Sequence, residues 1–134
     1  MVTIAKTKQP VRMPRFGHRV DRTDPILRGL VGWWPLNDGA GTKAKDLVGG
    51  GNDGTLNSNV AWGTSSVGTV AVFNDSLVSQ ITVPYDSSYN AATTGEISVS
   101  AWVKVDATRG DHSIIIGKDD NDSNREWLIS YLLI

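Results

Sequence analysis

The chain has 134 residues, 40% of them apolar, with five Trp, no Cys and a formal net charge of −1. That length allows one domain with a modest core, and the lack of Cys excludes disulfides and thiolate metal centres. No apolar run reaches the roughly 20 residues of a membrane-spanning helix, and the N-terminus lacks the apolar stretch of a secretory signal, so work outside a cell needs another route of release.

Charge is unevenly placed. Residues 1–28 carry seven Lys/Arg against two Asp, and the remainder carries six against twelve acids. Pro10, Pro14 and Pro25 interrupt this stretch, and it holds no period of 2.0 or 3.6, so it is expected to be an extended basic arm. Lys6, Lys8, Arg12, Arg15, Arg19 and Arg22, with Phe16 as an apolar anchor, are its candidate docking residues. They suit an acidic surface. Nucleic acid is one candidate for the arm, but the acidic body is unsuited to it. The bland alternative is a solvated extension. His18 is a surface residue on this reading, since a metal site needs several ligands.

Residues 29–134 are expected to form the folded domain. Leu30, Val31, Trp33, Trp34 and Leu36 are strand formers, and Pro35 assigns them to an edge strand or a strand end. Asn37, Asp38, Gly39 and Gly41, then residues 49–54 (GGGNDG), supply turn chemistry on either side of a short segment around Ala44–Val48. Strands are expected over Thr55–Trp62 and Thr69–Phe73 around a turn at Gly63–Gly68, then over Ser79–Val83 ahead of Pro84. Tyr85–Gly95 reads as a surface loop. Ile97, Val99, Ala101, Val103 and Val105 alternate with polar residues and Trp102, the clearest strand signal in the sequence. Ser113–Gly117 and Trp127–Ile134 complete the set around a charged turn. No amphipathic helix of useful length occurs, so the expected class is an all-β antiparallel sandwich.

Four blocks in order carry a resemblance: LVGWWPLNDGAGTKAKDLVGGGNDGTL, VAVFNDSLVSQITVP, ISVSAWVKV and SIIIGKDD. They are similar to bacterial and phage members of the laminin G-like, concanavalin A-like lectin/glucanase superfamily over residues 29 to about 134. The resemblance implies a two-sheet jelly roll that binds glycans or proteins rather than catalysing a reaction. It also places Trp33 and Trp102 at core positions, leaving Trp34, Trp62, Tyr85 and Tyr89 as candidate platforms for a ligand. The chain departs from the family pattern at Phe73–Val78, which lacks the paired aspartates. The family fold also needs strands beyond Ile134, so the apolar run Trp127–Ile134 is expected to be covered by further chain or by a strand from another molecule.

A glucanase would require carboxylates alternating along one strand. Glu96 and Glu126 are not so arranged, and phosphate-loop and zinc motifs are missing, so no enzymatic activity is expected. Asp46, Asn52 and Asp53 are candidate ligands for a structural calcium ion, which takes six to eight oxygens. The competing reading is that they cap turns without metal. Asp120, Asp122 and Asn124 imitate the start of an EF-hand loop, but Arg125 and Tyr131 stand where Gly and Glu are required. Two functions follow as expectations. One is a recognition module contacting glycan or a surface protein in an extracellular setting. The other is a virion component, such as a capsid decoration or tail protein, docked through the arm as part of a larger assembly.

Overall fold

The computed structural model describes residue 21 and residues 23–49, 51–74, 78–90, 95–105, 113–118 and 127–131. The docking residues Lys6, Lys8, Arg12, Arg15, Phe16, Arg19 and Arg22 lie outside them, as does the EF-hand-like run. Among the described residues the regular structure is almost entirely β, with two single-turn 3-10 helices. The chain divides into two compact units, Met1–Pro84 and Tyr85–Ile134.

The first regular element among the described residues of the first unit is a 3-10 turn at Pro25–Leu27, where the sequence predicts extended chain. Pro25 opens the turn because its fixed φ suits a first helical position and its missing N–H would go unused there. Just upstream, Asp21 accepts hydrogen bonds from the Thr23 amide at 2.9 Å and hydroxyl at 2.6 Å. Three short strands then pair antiparallel in the order β1 (Lys43–Ala44), β2 (Gly54–Leu56) and β5 (Ile81–Thr82). Between β2 and β5 in sequence, β3 (Val60–Ser65) and β4 (Gly68–Phe73) form a hairpin registered from Val60 opposite Phe73 to Ser65 opposite Gly68.

This hairpin turns at Ser66–Val67, inside the predicted turn, and Gly63 is a strand residue. A Cβ at Gly63 would stand 2.6 Å from Val72 Cγ2, so this glycine makes room for a side chain of β4. The residues between strands are tied by side chains. Asn57 and Asn59 each donate a side-chain amide to the Val78 carbonyl at 2.8 Å, and the Ser79 hydroxyl donates to the carbonyls of Asn59 and Asn74.

Alternation along β2 turns Gly54 and Leu56 inward and Thr55 outward. Leu56 meets Ala44 and Val60 in a small buried cluster, against which Trp34, Leu36, Trp62, Ala71 and Ile81 pack half-buried.

Leu30–Leu36 is not a strand. Pro35 offers no amide, and Leu36 has φ of 56°, a left-handed conformation that costs a non-glycine residue about 1 kcal/mol or more and turns the chain out of any ladder. Trp33 is instead fixed by single bonds: its carbonyl accepts from the Leu47 amide at 2.9 Å.

In the second unit, β6 (Ser113–Lys118) and β7 (Trp127–Tyr131) pair antiparallel, with a register shift between Ile114 and Ile116 that leaves Ile115 as the extra residue of a bulge. The Tyr85–Gly95 region contains a 3-10 turn, Ser87–Tyr89, whose first amides are capped by Asp86 accepting from the Ser88 N–H at 2.8 Å. The indole N–H of Trp127 donates to the Tyr89 carbonyl at 3.1 Å.

The predicted strand over Ile97–Val105 is not formed. Alternation alone cannot make a strand, since its amides and carbonyls need a neighbour, and among the described residues none pairs with it. Trp102, a core position by family resemblance, is 95% exposed.

Candidate functional site

The first unit centres on the loop from Ala44 to Gly54. Gly49 and Gly51, each with φ of 81°, bend it through backbone conformations that side chains disfavour. Asp46 is 8% exposed and ties the loop to the segment that carries Trp33. Its Oδ1 accepts from the Trp33 amide at 3.1 Å and from the Val48 amide at 2.9 Å. Asp53 reaches back across the loop, its Oδ1 accepting from the Asp46 amide at 3.0 Å and its Oδ2 from the Lys45 ammonium at 2.5 Å. Both Asp38 carboxylate oxygens lie 3.3 Å from the Lys45 amide and accept from it. Asn52 is buried, and its carbonyl accepts from the Trp34 indole N–H at 2.8 Å.

Thus Asp46, Asn52 and Asp53 are brought together in one loop, and backbone and lysine N–H groups occupy three of the four Asp46 and Asp53 carboxylate oxygens. Turn capping is therefore present in the structure. Among the described residues, no three His, Cys, Asp or Glu side chains cluster as a metal site.

Lys45 and Asp38 belong to this site although sequence reasoning did not select them. The available signal was Lys45 as the one cation between Ala44 and Gly54. The Lys45 ammonium bond holds the Asp53 carboxyl below its ordinary value of 3.8, helped by the Asp46 amide. The same pair raises the Lys45 ammonium above 10.5. A carboxyl depressed on folding contributes stability that is complete above 3.8 and is lost as pH falls through its lower folded value. For the raised ammonium the contribution is complete below 10.5 and is lost as pH climbs through the folded value. The melting-temperature difference between the parent chain and Lys45→Met is thus expected to be flat from about pH 5 to pH 9 and to shrink outside it. A difference that peaks below pH 3 contradicts the pairing.

Of the four aromatic candidates, Trp34 and Trp62 belong to the first unit and Tyr85 and Tyr89 to the second. Trp34 and Trp62 pack on the core, each with its indole N–H committed to a loop carbonyl: Trp34 to Asn52, Trp62 to Gly41 at 2.9 Å. In the second unit Tyr89 is half-buried and its carbonyl serves Trp127. Tyr85 is 73% exposed, and the Lys118 ammonium lies 5.1 Å from its ring centroid, within reach of a cation–π contact. Lys118 is a third residue the sequence did not single out, because the strand end that carries it is distant in the chain.

Among the described residues no helix is long and apolar enough to cross a membrane. The chain matches no protein-family model, and neither the curated proteins nor the solved structures yield a match.

Proposed function

We propose that the chain is a non-enzymatic recognition module of the laminin G-like, concanavalin A-like kind, a jelly-roll sandwich that binds glycan or protein on the outside of a cell or particle. Sequence blocks in family order support it, together with β structure as the near-exclusive regular element. The observation that carries the binding reading is Tyr85, a largely exposed aromatic ring with the Lys118 ammonium over it. Such a ring offers apolar contact to the C–H side of a sugar ring or to an aliphatic side chain, and the ammonium offers a donor to hydroxyl or carboxylate substituents. Screening the full chain against glycan and surface-protein arrays is expected to find a ligand whose affinity falls about tenfold or more in Tyr85→Ala. A ligand bound equally well by that variant removes Tyr85 from the reading.

A second reading, a virion component such as a capsid decoration or tail protein, is favoured by a different surface. Trp102, Val103 and Val105 stand exposed along one short run, and apolar side chains grouped in this way suit burial against another protein. In the same screen, copurification with large particles, lost on deleting residues 1–24, identifies this role. Normal assembly of the truncated chain at physiological salt speaks against docking through the arm.

A further inference from the structure

The run Ile97–Val105 in the second unit has strand composition but no ladder partner among the described residues. None of its residues has a positive φ, so no left-handed residue bends it out of strand geometry. Exposure divides it in two. Ile97 and Val99 are half-buried and alternate with exposed Ser98 and Ser100, whereas from Ala101 to Val105 every side chain is exposed. A strand-forming run left open in this way templates another strand, and its charges select which. Glu96 and Lys104 stand at equal distances on either side of Ser100. Laid antiparallel on itself about Ser100, the run sets Glu96 opposite Lys104 of a second copy, and two-fold symmetry repeats that pair at the other end. Ile97 then falls opposite Val103 and Val99 opposite Ala101, so the half-buried part of each copy lies beside the exposed part of the other. Trp102 falls opposite Ser98, a small partner for a large ring. Every pair joins positions of the same face. Other arrangements lose this match. Parallel pairing in register sets Glu96 on Glu96 and Lys104 on Lys104, and like charges directly opposite destabilise a sheet. Centring the antiparallel pair on Ala101 moves Lys104 opposite Ser98, and centring it on Val99 moves Glu96 opposite Trp102, so either shift removes the ion pairs. A shift by one residue sets Ile97 opposite Lys104 and mixes the faces.

We propose that Glu96–Lys104 is a self-complementary edge strand through which two copies of the chain join as a two-fold dimer, with Ser100 on the axis and a Glu96–Lys104 pair at each end. The contact supplies the backbone partners that the run lacks within the described chain and covers Val103 with the Ile97 side of the second copy. It goes beyond both functional readings, since a dimer serves a recognition module and a virion component alike.

The test is analytical ultracentrifugation of the full chain over a range of concentrations, where monomer and dimer are expected in exchange. Glu96→Lys and Lys104→Glu each place two like-charged pairs in the contact and are expected to raise the dissociation constant about tenfold or more. An equimolar mixture of these two variants is expected to recover the dimer, because a lysine then faces a glutamate at both ends. Ser100→Cys, in a chain with no other cysteine, is expected to cross-link into a covalent dimer on mild oxidation. Ser98→Cys is not, because its partner position is Trp102. If a charge variant fails to fold, as read by circular dichroism, the two cysteine variants decide. A parent chain that stays monomeric to about 1 mM overturns the proposal and leaves the run to a different strand. Dimerisation that ignores both charge reversals, or that the mixture does not recover, overturns it as well, because the copies then meet elsewhere. Equal cross-linking through positions 98 and 100 overturns the register centred on Ser100.

Discussion

Asp46→Ala is expected to lower the stability of the Met1–Pro84 unit by about 2–4 kcal/mol, read as a shift in the urea midpoint at unchanged slope. The substitution strands two amides, Trp33 and Val48, that now donate to one carboxylate oxygen at 3.1 and 2.9 Å. Both bonds are to a charged acceptor, and a buried amide without a partner carries the full cost of its desolvation. Partial relief comes from deleting the orphaned Oδ2, which sets the estimate below the sum of two charged hydrogen bonds. Asp46→Asn, which keeps a carbonyl oxygen in place of Oδ1, is expected to cost within about 1.5 kcal/mol. Asp53→Ala loses one amide bond and one lysine pair at a more exposed position and is expected to fall between them. Equal losses for alanine and asparagine at position 46 would mean that the carboxylate is not acting as an acceptor for the loop.

The residues of this loop were legible in the sequence because their chemistry is local. Asp and Asn bond backbone groups a few residues away, and glycines mark the conformations that other residues avoid, so Asp46, Asn52 and Asp53 fall together without any knowledge of the sheet. The outcome was not legible. Whether a carboxylate meets an amide, a lysine or an ion depends on which atoms arrive from elsewhere, and the Trp33 amide comes from 13 residues upstream.

Strands show the same division. Thr69–Phe73 and the pair Ser113–Gly117 with Trp127–Tyr131 were readable from composition, since each finds its partner across a turn or a short connection. Ile97–Val105 has the best alternation in the chain, yet it forms no ladder among the described residues. A period of two records which faces differ, not whether a neighbour exists. Leu30–Leu36 fails for another reason: its apolar content outweighed the missing amide of Pro35, and the positive φ of Leu36 has no signature in composition. Gly63 misled in the opposite sense, because a glycine that accommodates Val72 in a hairpin reads in sequence like one that ends a strand.

The small core of the first unit gives the second large effect, in Leu56→Ala. Leu56 is 6% exposed and lies at the meeting point of Ala44 and Val60, with Trp34, Trp62 and Ile81 packed around them. Removing a buried leucine side chain loses both its transfer free energy and the contacts of the cavity left behind, a total of about 2–5 kcal/mol. Here the lower half of that range is expected, about 2–3 kcal/mol, because the surrounding tryptophans and Ile81 are only half-buried and can settle into the space. The neighbouring position leaves no room for compensation in the other direction. A Cβ on Gly54 would lie 2.6 Å from Ile81 Cγ2 and 3.4 Å from the Ala44 side chain, so Gly54→Ala is expected to cost about 1–3 kcal/mol by overpacking. Val72→Ala supplies the control, since Val72 is half-exposed on β4 and its truncation is expected to change stability by about 1 kcal/mol or less. These differences are measured by urea titration followed by far-ultraviolet circular dichroism. Should Leu56→Ala prove no more damaging than Val72→Ala, the cluster of Ala44, Leu56 and Val60 would not be the core of this unit.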